Sequence, residues 1–167
     1  MKSIFISTVL GPDTPGIINA IARTTRGLGG EWATSKTVKL DGQFTAIMKV
    51  EIDSENETIL KTELEKTYPQ LQFFYAPALT TEKKPPKIVS LEVKCKDKPG
   101  LTKQITGVLQ NLKVNVENME FNRFHVLEMG GNVFSANLDV VLPENITEDN
   151  VADEIESLSN DVRVRVL

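Results

Sequence analysis

Asp13-Thr14-Pro15-Gly16-Ile17 and Asp97-Lys98-Pro99-Gly100-Leu101 are two copies of one pattern, Asp-x-Pro-Gly followed by an apolar residue. Each copy ends an apolar stretch, Ile4 to Leu10 in one case and Ile88 to Cys95 in the other, and each opens a segment whose apolar residues recur at helical spacing. Proline fixes φ and has no N–H to lose, so it suits the first helical position. The aspartate before it is placed to accept hydrogen bonds from the free N–H groups of the first turn. Glycine lets the backbone approach a neighbour, a second chain or a ligand closely. Such a turn suits a small zwitterion, with N–H groups facing its carboxylate and the aspartate facing its ammonium. An isolated copy reads first as a plain helix start. Recurrence in matching context makes this motif the organising feature of the chain.

Outward from the first copy, residues 2–10 read as a strand and 16–28 as a helix, with Ile17, Ile21 and Leu28 on one face and Gly27, Gly29 and Gly30 closing it. A strand over 31–40 reaches Asp41-Gly42, a hairpin signal. The returning strand, 43–52, alternates, with Phe44, Ala46, Met48, Val50 and Ile52 inward. Ser54 and Glu57 read as a capping box for a helix that turns Leu60, Leu64 and Tyr68 inward and stops at Pro69. A strand over 70–79 follows, then a stiff polar linker at 81–87 containing Lys83-Lys84-Pro85-Pro86.

The order then repeats: strand 88–96, helix 101–112, strands 114–126 and 131–142, helix 148–159, strand 161–167. The motifs lie 84 residues apart (13 to 97), but the aligned strands starting at Phe44 and Phe134 lie 90 apart. The extra length reads as a bulged or looped excursion around residues 123–132, with Gly130-Gly131 at its turn. Two copies of βαββαβ predict an α+β chain of two tandem ferredoxin-like units with antiparallel sheets, residues 1–80 and 88–167. Each unit packs its helices on one sheet face and leaves the other face and its edge strands to be covered, so two chains are expected to associate.

Composition narrows the function. With 40% hydrophobic and 25% charged residues, the 167-residue chain reads as soluble and globular. No apolar run is long enough to span a membrane, and residues 1–6 read as a strand rather than a signal peptide. The net charge of −4 argues against direct nucleic-acid binding, as does the lack of a helix-turn-helix pattern. The lone Cys95 cannot pair internally, which fits a reducing cytoplasm, and it reads as a small core residue. The lone His125, on an apolar stretch, reads as a packed or rim residue. The acidic residues 148–156 read as the solvated face of a helix whose inward positions are Val151, Ile155 and Leu158. Neither metal spacing nor a phosphate loop nor a catalytic constellation is found, and no cofactor is implied. Trp32 reads as either a partner anchor or a plug under the first helix. Arg163 and Arg165 read as edge protection, or alternatively as an anion contact.

The βαββαβ unit with Asp-x-Pro-Gly at its first strand–helix turn resembles the ACT domain, a regulatory module that binds amino acids. The run Gly11 to Ile17, then Gly30-Glu31-Trp32-Ala33-Thr34-Ser35, then Leu40-Asp41-Gly42-Gln43-Phe44 is similar to the glycine cleavage system transcriptional repressor family, stand-alone tandem ACT proteins. Thr14 stands where arginine or another long residue is common. The resemblance implies ligand sites near each motif, at an interface between modules: Asp13, Thr14, Gly16, Ile17 and Ile18 in the first unit, and Asp97, Gly100, Leu101 and Thr102 in the second. An adjoining edge strand adds Asn115 and Asn118. On this reading Gly16→Val or Gly100→Val abolishes binding and leaves the fold intact. The resemblance further implies a small amino acid such as glycine as ligand, a transcriptional regulator as protein partner, and a homodimer. The alternative is a regulatory subunit that docks on a metabolic enzyme.

Overall fold

The computed structural model describes residues 1–79 and 86–167. It divides into two compact units, Met1–Thr81 and Glu82–Leu167. Most of the linker expected at 81–87 lies outside the described residues.

The first unit runs β1 (Lys2–Pro12), α1 (Ile17–Gly27), β2 (Glu31–Leu40), β3 (Gln43–Asp53), α2 (Glu57–Thr67) and β4 (Gln72–Pro77). The second runs β5 (Ile88–Lys96), α3 (Leu101–Asn111), β6 (Asn115–Val126), β7 (Gly131–Val141), α4 (Glu148–Glu156) and β8 (Arg163–Val166). The sheet orders are β2-β3-β1-β4 and β6-β7-β5-β8, antiparallel throughout. Two tandem ferredoxin-like units result, as the repeat predicts. Among the described residues no helix is long and apolar enough to cross a membrane.

Strand alternation builds each core. Phe44, Ala46, Met48, Val50 and Ile52 of β3 are all buried, and so are Phe134, Ala136, Leu138 and Val140 of β7. Against them α1 sets Ile17 and Ile21, α2 sets Leu60 and Leu64, α3 sets Leu101, Ile105 and Leu109, and α4 sets Val151 and Ile155. Each such large side chain contributes about 1.5–3 kcal/mol by leaving water. Trp32 packs, partly buried, on the first core, and Cys95 is buried in the second.

One local expectation is corrected and a second is narrowed. Ser54 and Glu57 do not form a capping box. Residues Ser54–Asn56 make a 3₁₀ turn, Ser54 Oγ donates to the carbonyl of Met1 at 2.8 Å, and Glu57 is taken by Ser3 and Lys61. Tertiary partners outcompete the local cap. The chain's capping box is at α4, where Asn150 N donates to Thr147 Oγ1 at 3.2 Å and Thr147 N to Asn150 Oδ1 at 3.1 Å. The second concerns the extra length near 123–132: of the bulged and looped readings the looped one holds, with Gly130 at φ 65 in its turn. β6 stays paired with β7 as far as Val126, opposite Gly131, and a single 3₁₀ turn over Leu127–Met129 closes the longer hairpin. The bulges lie between Trp32 and Thr34 and between Val116 and Asn118, at the same place in each copy.

Both first helices of the units end in Schellman geometry. Gly29 N donates to Arg26 O at 3.0 Å and Gly30 N to Thr25 O at 2.9 Å. In the second unit Lys113 N donates to Gln110 O at 3.0 Å and Val114 N to Leu109 O at 2.9 Å. Gly29 holds φ +81 without strain, whereas Lys113 holds φ +56 with a Cβ. Lys113→Gly therefore raises stability by about 1 kcal/mol, the left-handed penalty less the added chain entropy. Urea unfolding of the two chains checks this.

Candidate functional site

In the first motif the chain leaves β1 through a tight turn. Ile17 N donates to Thr14 O at 3.1 Å, and Gly16 sits at φ 80 and ψ 1. Proline followed by a positive-φ glycine is the pattern of a type II turn. Pro15 is thus in the turn and not the first helical residue, and Gly16 takes the position before the helix. Gly100 repeats this at φ 88 and ψ −1. A Cβ on either glycine would meet nothing within 4 Å, so glycine is required here by φ and not by close approach. Valine at these positions strains the turn itself, so the glycine substitutions do not separate ligand binding from folding.

The motif aspartates do not cap their helices. Asp13 Oδ2 lies 3.0 Å from Lys39 Nζ, and Asp97 Oδ1 lies 3.0 Å from Arg123 Nε. Each backbone N–H is tied to the neighbouring hairpin, Asp13 N to Gly42 O and Asp97 N to Asn132 O, both at 2.8 Å. Neither α1 nor α3 has a side-chain cap, so first-turn N–H groups remain without a side-chain acceptor. Lys39 and Arg123 are also 84 residues apart, a repeat signal that the sequence carries and that the motif reading missed.

Beyond the shared turn the two sites differ. At the first, residues Asp13 to Asn19 and Lys39 line an open depression of about 380 Å³. It brings together Asp13, Thr14, Gly16, Ile17 and Ile18, and adds Asn19. At the second, the depression is about 180 Å³ and is lined by Lys96, Asp97 and residues 130–133 of the hairpin. Gly100, Leu101 and Thr102 do not line it; Leu101 is fully buried in the core, and Thr102 O accepts from Thr106 Oγ1 at 2.8 Å. Arg123 also lies 5.4 Å over the Phe134 ring, which fixes it above Asp97. Asn115 and Asn118 lie toward the opposite end of β7 from Asp97, Asn115 opposite Val141, and their amides are engaged by Glu117 at 2.8 Å and Asp139 at 3.4 Å.

The remaining candidates have structural partners. His125 Nδ1 lies 2.9 Å from Asn132 Oδ1. Burial pushes the Cys95 thiol pKa up, with Asp161 adding to the shift, which disfavours the thiolate. Arg163 donates to the carbonyls of Asn160 and Val162, and Arg165 pairs with Glu92 at 3.1 Å. Among the described residues no group of three or more His, Cys, Asp or Glu is placed to hold a metal.

Residues 3–73 match the ACT domain family. That match spans most of the first unit, and with the second unit repeating its topology the chain has a tandem ACT-like fold. Over its whole length it is similar to the crystal structure of an unknown protein from Galdieria sulphuraria, with TM-score 0.84, 19% identity and coverage of 100% of this chain and 99% of that one. It is also similar to the crystal structure of a candidate glycine cleavage system transcriptional repressor, with TM-score 0.75, 18% identity and coverage of 100% and 98%. No curated protein matches the chain.

The second motif is anchored by Asp161. It accepts from Ser159 Oγ, from Lys96 N at 2.9 Å and from Lys98 Nζ at 3.2 Å, and these bonds, Ser159 first, hold its pKa well below the ordinary 3.8. A depressed folded-state pKa contributes stability that is complete above the unfolded value and is lost as pH falls through the folded one. Asp161→Asn therefore lowers Tm at neutral pH, and the gap to wild type closes as pH drops below 3.8. Melts across that range check it.

Proposed function

We propose that this chain is a non-enzymatic regulatory protein that binds a small amino acid at the first motif and signals by protein–protein contact. The observation that carries this reading is the Asp13–Lys39 pair beside the uncapped start of α1, in a depression of about 380 Å³. An α-amino acid presents an ammonium and a carboxylate a few bonds apart. Asp13 takes the ammonium, while Lys39 and the first-turn N–H groups of α1 take the carboxylate. Glycine is the first ligand to try, because the site offers charges and backbone amides and no deep apolar pocket.

The domains are 1–80 and 88–167, joined at 81–87, and the chain acts in the cytoplasm as a homodimer. The partner is a transcriptional regulator of the glycine cleavage type; the full-length fold similarity to a candidate repressor of that system supports this choice. With a net charge of −4 and no basic reading helix, the chain acts on the regulator and not on DNA. A ligand that draws Asp13 and Lys39 apart to its two ends biases the turn and its hairpin, and the partner reads the shifted population.

Thermal unfolding against a panel of amino acids tests this. Native-state binding stabilises by about 2.7 kcal/mol at a hundredfold excess over Kd. Glycine or a close relative gives a selective shift that Asp13→Asn and Lys39→Met each remove while the unliganded melt stays near wild type. A panel that produces no shift in the wild type overturns the ligand reading.

A further inference from the structure

The outer face of the first sheet, away from α1 and α2, carries an apolar patch across its middle rungs, and the same rungs of the second sheet are polar. Val38 on β2, Ile47 on β3 and Phe74 on β4 are 59%, 48% and 57% exposed, and Leu10 on β1 lies beside them. At the matching positions the second unit carries Asn122, Asn137, Arg165 and Lys94. The two units share a fold, so the contrast is not required by folding. Contiguous exposed apolar surface of this kind marks an interaction site.

The face is complementary to itself. Along β1 the outward residues Ile4, Ile6 and Leu10 are bulky and Thr8 alone is short. Along β3 Ile47 alone is apolar, between Thr45 and Lys49, and it stands directly across from Thr8. A two-fold axis parallel to the strands, between β1 and β3, lays β1 of one copy over β3 of the other. Ile47 then fills the gap at Thr8, and Leu10 lies over Thr45. On the same rung, Lys36 of β2 meets Phe74 of β4, an ammonium over an aromatic ring. Lys49, farther along β3, reaches solvent while its stem covers Ile6. Four strands about 4.8 Å apart and four rungs about 6.8 Å apart span roughly 500 Å². Two such faces bury about 1,000 Å², the threshold for a specific interface and the range of weak, reversible association.

We infer that the outer face of the first sheet is an isologous interface for a second copy of this chain. The inference rests on the homodimer reading and gives it a surface. The full chain is taken through sedimentation equilibrium from micromolar to millimolar concentration. Wild type associates to a dimer. Ile47→Glu and Thr8→Lys each weaken self-association by more than about a hundredfold, because each dimer buries the new charge twice. Both changes point to solvent in the monomer, and circular dichroism confirms that the variants fold. Mixing the two variants restores a dimer, because the glutamate at 47 of one copy faces the lysine at 8 of the other and the second contact stays native. Asn137→Glu, at the matching place in the second sheet, leaves association unchanged. A wild-type dimer that persists in both variants overturns this surface and leaves the homodimer reading standing. A wild type that stays monomeric overturns both, and if Ile47→Glu also lowers its Tm, another part of the same chain covers the face.

Discussion

Each unit buries one face of a four-stranded sheet beneath two helices, and most other features follow from that one-sided burial. The inward rows of β3 and β7 fix strand register, since a slip by one residue would turn Phe44 or Phe134 to solvent. Having left the central strand, the chain must turn back at once onto the buried face. Proline with a positive-φ glycine makes that reversal in both units, and Schellman caps return the chain from helix to edge strand.

Duplication kept the backbone solution and let the surroundings diverge. The turn, the aspartate, the cation 26 residues beyond it and the bulge near the start of the edge strand recur in register. Around the first turn Lys39 pairs with Asp13 and lines an open depression. Around the second, Arg123 lies over Phe134, Lys98 is drawn to Asp161, and the smaller depression is lined from the hairpin side. The larger depression beside an aspartate–cation pair therefore belongs to the first unit. The middle rungs of the outer sheet faces diverge too, apolar in the first unit and polar or charged in the second.

The fold was legible because its signals are local and repeated. Alternation in 43–52 and 131–142, the Asp41-Gly42 hairpin and the twice-used motif are all read within a few residues. The failures fall where a distant partner wins. Ser54 and Glu57 have the spacing of a capping box, yet Met1 O and, from strand β1, Ser3 compete as partners. The six additional residues of the second hairpin fit a bulge or a loop locally, and cross-strand pairing as far as Val126 selects the loop, with Gly130 at its turn.

By itself, the sequence determined two βαββαβ units, their inward residues and the place of the two turns, because side-chain periodicity and turn chemistry act over short range. Only the tertiary structure decided what the motif aspartates do. Their partners, Lys39 and Arg123, come from another strand, and a carboxylate takes the cation that the fold places 3.0 Å away over the helix amides next to it in sequence. It also decided that the glycines answer to φ and not to crowding. The cause lies in where the surrounding chain passes, which one residue's neighbours in sequence do not specify.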